Sequence, residues 1–498
     1  MDKKELIELV IKPIEANGGK AYFVGGCVRD ELLKKEPNDY DIVTNLTPSQ
    51  LHTVFDKFSN VSTNAESFGV TMPIINGEEV EIATFRKDLT KGRHPEVSLE
   101  ATIEEDAMRR DFTINALYED KYGNIIDPTG TGLSDINNNI LRFVGNPTDR
   151  LSEDPLRAYR FMRFVSKGFT HPYTQEELRV FASVLNFSEV SKERKLKEIK
   201  KIFSSKYFVP YSMTYKIGFE FNIFEDMGLT DIFWDMSETP QSFKWHAEGA
   251  EVKSLIDGKY YSAKNIKDFS NMKPVMQGNV LDHTFHCLEE MNKIIFENDF
   301  DEEKRFLLVL STMLHDVGKP YCNEGTKTNT WVWGKNTWTE EVPKVTSHPI
   351  VGIEYAEFIC KKIGLSNYET EFVTTIVREH MNAHSLNKHT HKFPVMEFVH
   401  QKFFDEIMLV AQADDRGSIK TVYNEFSSVE EILETPLVKD CINTPMPNPI
   451  LTGDDLIERG LKPNPAFKKM LRTAYKLQIE QNELDKERLF GAVKNIKI

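Results

Sequence analysis

Cysteine is scarce: five in 498 residues, at positions 27, 287, 322, 360 and 441, scattered and odd in number. That argues against a small secreted scaffold stapled by disulfides, and the lack of any C-x-x-C pair argues against a cysteine zinc site. No run of about 18 apolar residues exists, so no membrane-spanning helix is expected. Met1-Asp2-Lys3-Lys4-Glu5 is followed by no apolar segment of signal-peptide length. Fixed-period repeats and low-complexity tracts are missing too. The formal net charge is −15, so broad, non-specific nucleic-acid binding is disfavoured, although a local basic patch still suits a phosphate backbone. Together these absences predict a soluble, cytoplasmic chain with unpaired thiols.

Apolar residues make up 40% and charged residues 28%, enough for ordinary cores, and the length predicts about three domains. Residues 1–142 read as α/β: an amphipathic helix over 5–16, a short buried strand Ala21-Tyr22-Phe23-Val24, and strands over 39–44 and 80–86. Asn76-Gly77 is a hairpin turn signal between two apolar runs. Residues 143–235 turn helical. The stretch 236–275 is polar, weakly periodic and rich in Gly, Ser, Lys and Asp, which reads as a linker or irregular insert. Helical periodicity resumes over 276–430, and 431–498 is a helical tail marked by Pro445, Pro447, Pro449, Pro463 and Pro465. The fold class expected is therefore multidomain, α/β followed by all-α. Within the second helical stretch, residues 330–338 alternate around Gly334-Lys335 and hold three of the five tryptophans. Such a hairpin commonly packs on its own indoles, and base stacking is the alternative.

Asp39-Tyr40-Asp41 places two carboxylates at i and i+2, which on a strand point to one spot. Two carboxylates there repel unless protonated or metal-bound, and hard oxygen donors suit Mg²⁺. An isolated D-x-D is also a common surface turn, so the context matters. That context is Phe23-Val24-Gly25-Gly26-Cys27-Val28-Arg29-Asp30, a strand ending in glycines whose amides can approach phosphate oxygens, with Arg29 as a bidentate donor. Glu81, in the apolar run around Val80 and Ile82, is a third acidic candidate and is expected to be half-buried. A Glu paired with a nearby Arg is the competing reading.

These residues, followed in order by Arg109-Arg110-Asp111-Phe112-Thr113-Ile114-Asn115-Ala116, Glu153-Asp154-Pro155-Leu156-Arg157-Ala158-Tyr159-Arg160 and Glu193-Arg194, resemble the motifs of bacterial-type (class II) tRNA nucleotidyltransferases. That family comprises the CCA-adding enzymes and their poly(A) polymerase relatives. The resemblance covers roughly residues 20 to 230. It implies a nucleotidyltransferase head with a small mixed β-sheet, then a helical neck and body that recognise nucleotide and RNA. It implies a tRNA 3′ end, CTP and ATP as partners. Asp39 and Asp41 would hold two Mg²⁺ ions, one activating the RNA 3′-hydroxyl and one neutralising pyrophosphate. Gly25, Gly26, Arg29, Arg110, Asp111, Asp154, Arg157 and Arg160 would bind the nucleotide.

Asp154 and Arg157, three apart, share a face if one helix carries both, and the family uses this pair to read C and A without a template. A solvated salt bridge is the bland reading of such a pair, as a structural ion pair is for Arg110 and Asp111. Arg194, Lys197 and Lys201 fall at i, i+3 and i+7 and make a local basic face suited to RNA phosphates, or simply a solvated one. Residues 86–95 resemble the loop that full CCA-adding enzymes use to pass from C to A addition. The Gly-Arg-Arg-Phe signature associated with the polymerases is absent, with Glu66-Ser67-Phe68-Gly69-Val70 in its place. CCA addition is therefore favoured over poly(A) synthesis.

A second inventory follows: His283, His315-Asp316, His348, His380 and Asp414. Imidazoles with carboxylates suit Mn, Fe, Ni, Zn or Mg, and a bound metal activates water for phosphoester hydrolysis. With Gly318-Lys319-Pro320 these residues resemble the HD phosphohydrolase superfamily, which is fused to some bacterial CCA-adding enzymes. The resemblance implies a second divalent metal site and hydrolysis of cyclic phosphates or phosphate monoesters. An HD fold without activity, an HD hydrolase whose N-terminal half only binds RNA, and a non-catalytic RNA-binding protein are the alternatives. The intact acidic and histidine sets disfavour the last of these.

Overall fold

The computed structural model describes residues 1–55, 61–62, 69–89, 97–205, 211–238, 251–254, 260–262, 272–274, 279–321, 348–386, 391–418 and 428–496. Backbone contacts divide the chain into two units, Met1–Thr230 and Asp231–Ile498. The tryptophan-rich stretch 330–338, residues 90–95 of the expected loop and Glu66-Ser67-Phe68 lie outside the described residues. No described helix is long and apolar enough to cross a membrane.

The first unit opens with a helix running through Lys3–Leu6, a π-type segment Ile7–Ile11 and Lys12–Ala16. Asp2 and Glu5 cap its start reciprocally, and Leu6, Val10, Ile11 and Ile14 form its buried stripe. The sheet runs Ile125–Ile126, Tyr118–Glu119, Ala21–Val24, Ile42–Thr44, Ile82–Thr84, Val70–Ile75, Val61–Ser62, with Glu78–Glu79 pairing beside Val70–Ile75. Ile42–Thr44 and Ile82–Thr84 pair in parallel, Ile42 opposite Ile82, while the other pairings are antiparallel. Asn76 and Gly77 both take positive φ, 53° and 86°, as a primed hairpin turn requires. Two strands are shorter than the sequence pattern suggests. Asp39, Tyr40 and Asp41 precede the strand, although the Val24 amide still donates to the Asp41 carbonyl at 3.0 Å. Glu81 likewise precedes Ile82–Thr84.

Beyond the sheet, the helix Leu156–Ser166 is amphipathic and turns Phe161 and Phe164 inward against Phe112 and Phe143. All four rings are buried, each worth about 1.5–3 kcal/mol of apolar transfer. That cluster seats the cationic face of this helix beside the Arg109–Asn115 segment. The helix Lys192–Phe203 packs on Leu156–Ser166, and its Ile199, Ile202 and Phe203 are buried.

The second unit is mostly helical. Val280–Glu297, Glu302–Leu314, His348–Ile363, Asn367–Ala383 and Phe404–Gly417 pack around one another, and the whole run Phe306–Leu314 is buried. The polar stretch read as a linker or irregular insert carries three short antiparallel strands, Glu251–Ser254 between Tyr260–Ser262 and Met272–Pro274. The tail helices Gly453–Glu458, Ala466–Gln481 and Lys486–Val493 share a small core of Leu456, Met470, Ala474, Leu489 and Val493.

Candidate active sites

Strand Ala21–Val24 ends at Gly25, whose φ of +76° is the left-handed region that glycine tolerates without strain. A Cβ there would lie 3.4 Å from Arg110 Nη1 and 4.0 Å from Asp41 Oδ2, so Gly25 sits directly between a cation and a carboxylate. The parallel pairing of Ile42 with Ile82 sets the two preceding residues, Asp41 and Glu81, abreast at the ends of adjacent strands. Exclusion of water around the Asp41 carboxyl, then the negative charges of Asp39 and Glu81, push its pKa up to about 6, with Arg110 opposing them. Asp39 and Glu81 are thus charged neighbours of Asp41. Glu81 is exposed rather than half-buried, because it stands ahead of the strand whose apolar residues suggested burial. A carboxylate raised by two neighbouring negative charges suits a divalent cation, which replaces the proton as counter-charge.

The arginines around this point are held by carboxylates. Asp106, fully buried, accepts from Arg109 Nε and Nη2, from Arg110 Nε and Nη2, and from Tyr118 Oη at 2.8–3.2 Å. Arg29 donates to Asn115 Oδ1 at 2.6 Å and pairs with Asp30 at 2.7 Å. Asn115 Nδ2 in turn donates to Asp111 Oδ1 at 3.1 Å, and Arg160 pairs with Asp111 Oδ2 at 2.8 Å. Arg29, Asn115, Asp111 and Arg160 therefore form one connected network. Neither Asp106 nor Asn115 was singled out as a site residue from sequence, yet Asp106 lies three and four residues before the two arginines, the helical spacing for such pairs.

The expected Asp154/Arg157 pair is corrected. Pro155 drives Asp154 out of helical geometry, so Asp154 ends the helix Pro147–Glu153 with extended backbone while Arg157 belongs to Leu156–Ser166. Asp154 pairs with Arg194 at 2.8 Å, and Arg157 donates to Glu153 and to the carbonyls of Arg150 and Arg109 at 2.7–2.8 Å. On the helix Lys192–Phe203, Lys197 is exposed and Lys195 pairs with Asp226. Lys201 lies on the same helix.

In the second unit the histidine set gathers completely. Gly318 lets His348–Ile363 approach, since a Cβ there would lie 2.1 Å from the His348 carbonyl oxygen and 2.6 Å from the Gly352 nitrogen. Asp316 then sits between two groups. Its Oδ2 lies 3.3 Å from His315 Nε2 and 3.6 Å from His283 Nε2, and its Oδ1 lies 3.1 Å from His348 Nε2 and 3.8 Å from His380 Nε2. Asp414 Oδ1 lies 2.9 Å from His283 Nε2. His315 Nδ1 and His380 Nδ1 face the Thr312 and Val377 carbonyls at 2.7 and 2.8 Å, so those nitrogens carry the protons and both Nε2 lone pairs face inward. Burial would push Asp316 up, but His315 and Lys319 outweigh it and hold the carboxylate ionised well below its ordinary range. Burial lowers His380 to about 3, which keeps its imidazole neutral. His315 Nε2 is buried without a hydrogen-bond partner among the described residues, an orphan that a metal ion would satisfy. Donor atoms from His283, Cys287, His315 and Asp414, and from Asp316, His348 and His380, close to within 4.8 Å in each set. His384, one helical turn after His380, is a further neighbour missed from sequence, its Nε2 being 3.0 Å from Asp414 Oδ2.

Residues 21–142 match the poly A polymerase head domain and residues 280–416 the HD domain. The chain joins a poly A polymerase head domain to an HD domain. The chain is 41% identical over 194 residues to the CCA-adding enzyme of Bacillus subtilis, covering 38% of this chain and 47% of that one. It is also 33% identical over 190 residues to poly(A) polymerase I of Haemophilus influenzae, covering 35% and 42%. In each case the match spans less than half of the relative. Across both domains the fold is that of solved CCA-adding enzymes. The Bacillus stearothermophilus enzyme in complex with CTP aligns with a TM-score of 0.54 and 20% identity over 99% of this chain and 98% of that one. The Thermotoga maritima enzyme complexed with tRNA_CCA aligns with a TM-score of 0.55 and 16% identity over 99% and 96%.

Proposed function

We propose that this chain is a nucleotidyltransferase that adds CCA to the 3′ end of tRNA from CTP and ATP, and that its HD domain is a metal-dependent phosphohydrolase. The observation that carries the first half is Asp41 beside Gly25, with the charges of Asp39 and Glu81 acting on it and with Arg110 and Arg29 next to the glycine pair. The RNA 3′-hydroxyl attacks the α-phosphorus of the nucleotide, the α–β anhydride bond breaks, and pyrophosphate leaves. Mg²⁺ held by Asp39 and Asp41 would lower the hydroxyl pKa and screen the leaving group. Arg29, fixed by Asn115 and Asp30, reaches phosphate oxygens, while the amides after Gly25 approach them without side-chain hindrance. Arg110 and Asp111 serve the sugar, Arg160 holds Asp111 in place, and Asp154 and Arg157 meet the base edge once they exchange their present partners. Arg194, Lys197 and Lys201 take the acceptor-stem phosphates.

In the HD domain, the two oxygens of Asp316 face two donor sets, His283/His315/Asp414 and His348/His380, an arrangement suited to a pair of divalent ions sharing one carboxylate. We assign the chain to the cytoplasm. We divide it into head 1–142, neck and body 143–235, insert 236–275, HD domain 276–430 and tail 431–498.

Incubation with tRNA lacking its CCA, Mg²⁺, CTP and ATP, followed by sequencing of the products, tests the first reading. Addition of C, C and A that then stops supports it. Long A tails without C convert it to poly(A) polymerase, the activity named for the Haemophilus relative.

A further inference from the structure

The metal reading of the HD domain is built from histidines and aspartates, yet a sulfur lies among them. Cys287 sits one turn after His283 on the helix Val280–Glu297 and is fully buried. Its Sγ is 3.4 Å from His283 Nε2 and closes with the donor atoms of His283, His315 and Asp414 to within 4.8 Å. Two ligands of one tetrahedral ion, with metal–nitrogen and metal–sulfur bonds of about 2.0 and 2.3 Å, stand about 3.5 Å apart, so this separation is that of neighbouring ligands.

Two independent features point the same way. Gly417 stands on Phe404–Gly417, one turn after Asp414, and a Cβ there would lie 2.6 Å from the Cys287 backbone nitrogen and 2.8 Å from Sγ. The missing side chain lets the Asp414-bearing helix close directly over the thiol. His315 Nε2, completely buried, has no hydrogen-bond partner among the described residues and belongs to the same donor set.

Resting on the metal reading above, we propose that Cys287 is a further ligand of the position formed by His283, His315, Asp414 and one oxygen of Asp316. Coordination replaces the S–H bond by a metal–sulfur bond and releases the proton to solvent. A set of two nitrogens, two carboxylate oxygens and one sulfur favours Zn²⁺, Fe²⁺ or Co²⁺ over Mg²⁺, because thiolate is a soft donor and Mg²⁺ demands oxygen. The second position, His348 and His380 with Asp316, has no sulfur in its set, so the two positions differ in metal preference.

The test uses the full chain loaded with Zn²⁺ or Co²⁺ and needs no turnover. X-ray absorption on the zinc form is expected to show a sulfur neighbour at about 2.3 Å. The cobalt form is expected to show a near-ultraviolet sulfur-to-cobalt charge-transfer band. Cys287→Ser should remove both signals and weaken zinc binding at one position by roughly tenfold or more. Cys360→Ser, which removes another buried thiol, should leave both intact. Zinc or cobalt bound with nitrogen and oxygen neighbours alone, or sulfur signals that survive Cys287→Ser, overturn the proposal and leave the metal centre standing. Failure of either ion to bind the wild-type chain overturns both.

Discussion

Arg160 reaches out of the helix Leu156–Ser166 to hold the buried carboxylate of Asp111, Nη2 to Oδ2, at 2.8 Å. Burial pushes that carboxyl up, and the guanidinium, with Asn115 and the Phe112 amide donating to it, outweighs burial and brings it below the usual 3.8. A lowered carboxyl pKa gives stability that is present above 3.8 and lost as pH falls through the lowered value. Asp111→Ala should therefore destabilise the first unit by about 1–3 kcal/mol at pH 7, because it strands two donors and one half-exposed arginine. The difference from wild type should shrink in acid. Urea unfolding at pH 7 and pH 3 measures both.

The two proposed metal sites draw on separate residues. Asp41→Asn should lower nucleotide addition by about 100-fold or more, the scale for losing one electrostatic group at a transition state, and leave phosphoester hydrolysis untouched. Asp316→Asn should do the reverse. Parallel assays on a CCA-less tRNA and on a phosphate monoester decide, and loss of both activities in one folded variant contradicts the two-site reading.

His384 Nε2 lies 3.0 Å from the far oxygen of Asp414, Oδ2, while Oδ1 faces His283. We propose that it aims that carboxylate. His384→Ala should weaken divalent-metal binding to the HD domain by about 10–100-fold while the fold persists, measured by calorimetric titration with Mn²⁺ or Zn²⁺.

Lys167 follows Arg163 by one helical turn. The residue as a whole is exposed, but desolvation of its ammonium group, then the charges of Arg163 and Arg29, lower it from 10.5 to about 8. A lysine with a lowered pKa binds its proton less tightly in the folded chain than in the unfolded one. Stability should consequently rise with pH between about 8 and 10.5, as the folded chain releases a proton the unfolded chain keeps. Lys167→Met should flatten that slope and raise the melting temperature slightly at pH 7. Thermal unfolding across that pH range checks it.

Much of both sites was legible because residue type and local spacing carry it. The glycine pair after an apolar strand, the D-x-D, the arginine–aspartate motifs and His315-Asp316 are short-range patterns, and the Asn76-Gly77 turn forms where its dipeptide points. The misreadings are also physical. A spacing of three would let Asp154 and Arg157 share a face of one helix, but Pro155 between them restricts the residue before it and puts the two in different elements. Apolar neighbours suggested a half-buried Glu81, but the strand begins one residue later and leaves it exposed.

By itself, then, the sequence determined which chemistry is available: oxygen donors and phosphate-binding groups in the first part, imidazoles and carboxylates in the second. Only the tertiary structure decided who stands beside whom. Parallel pairing of Ile42 with Ile82 sets Asp41 against Glu81, and close helix packing at Gly318 and Gly417 brings His348 to Asp316 and Asp414 over Cys287. Those contacts span tens to more than a hundred residues of chain. No local periodicity encodes them, because they depend on how whole buried faces fit.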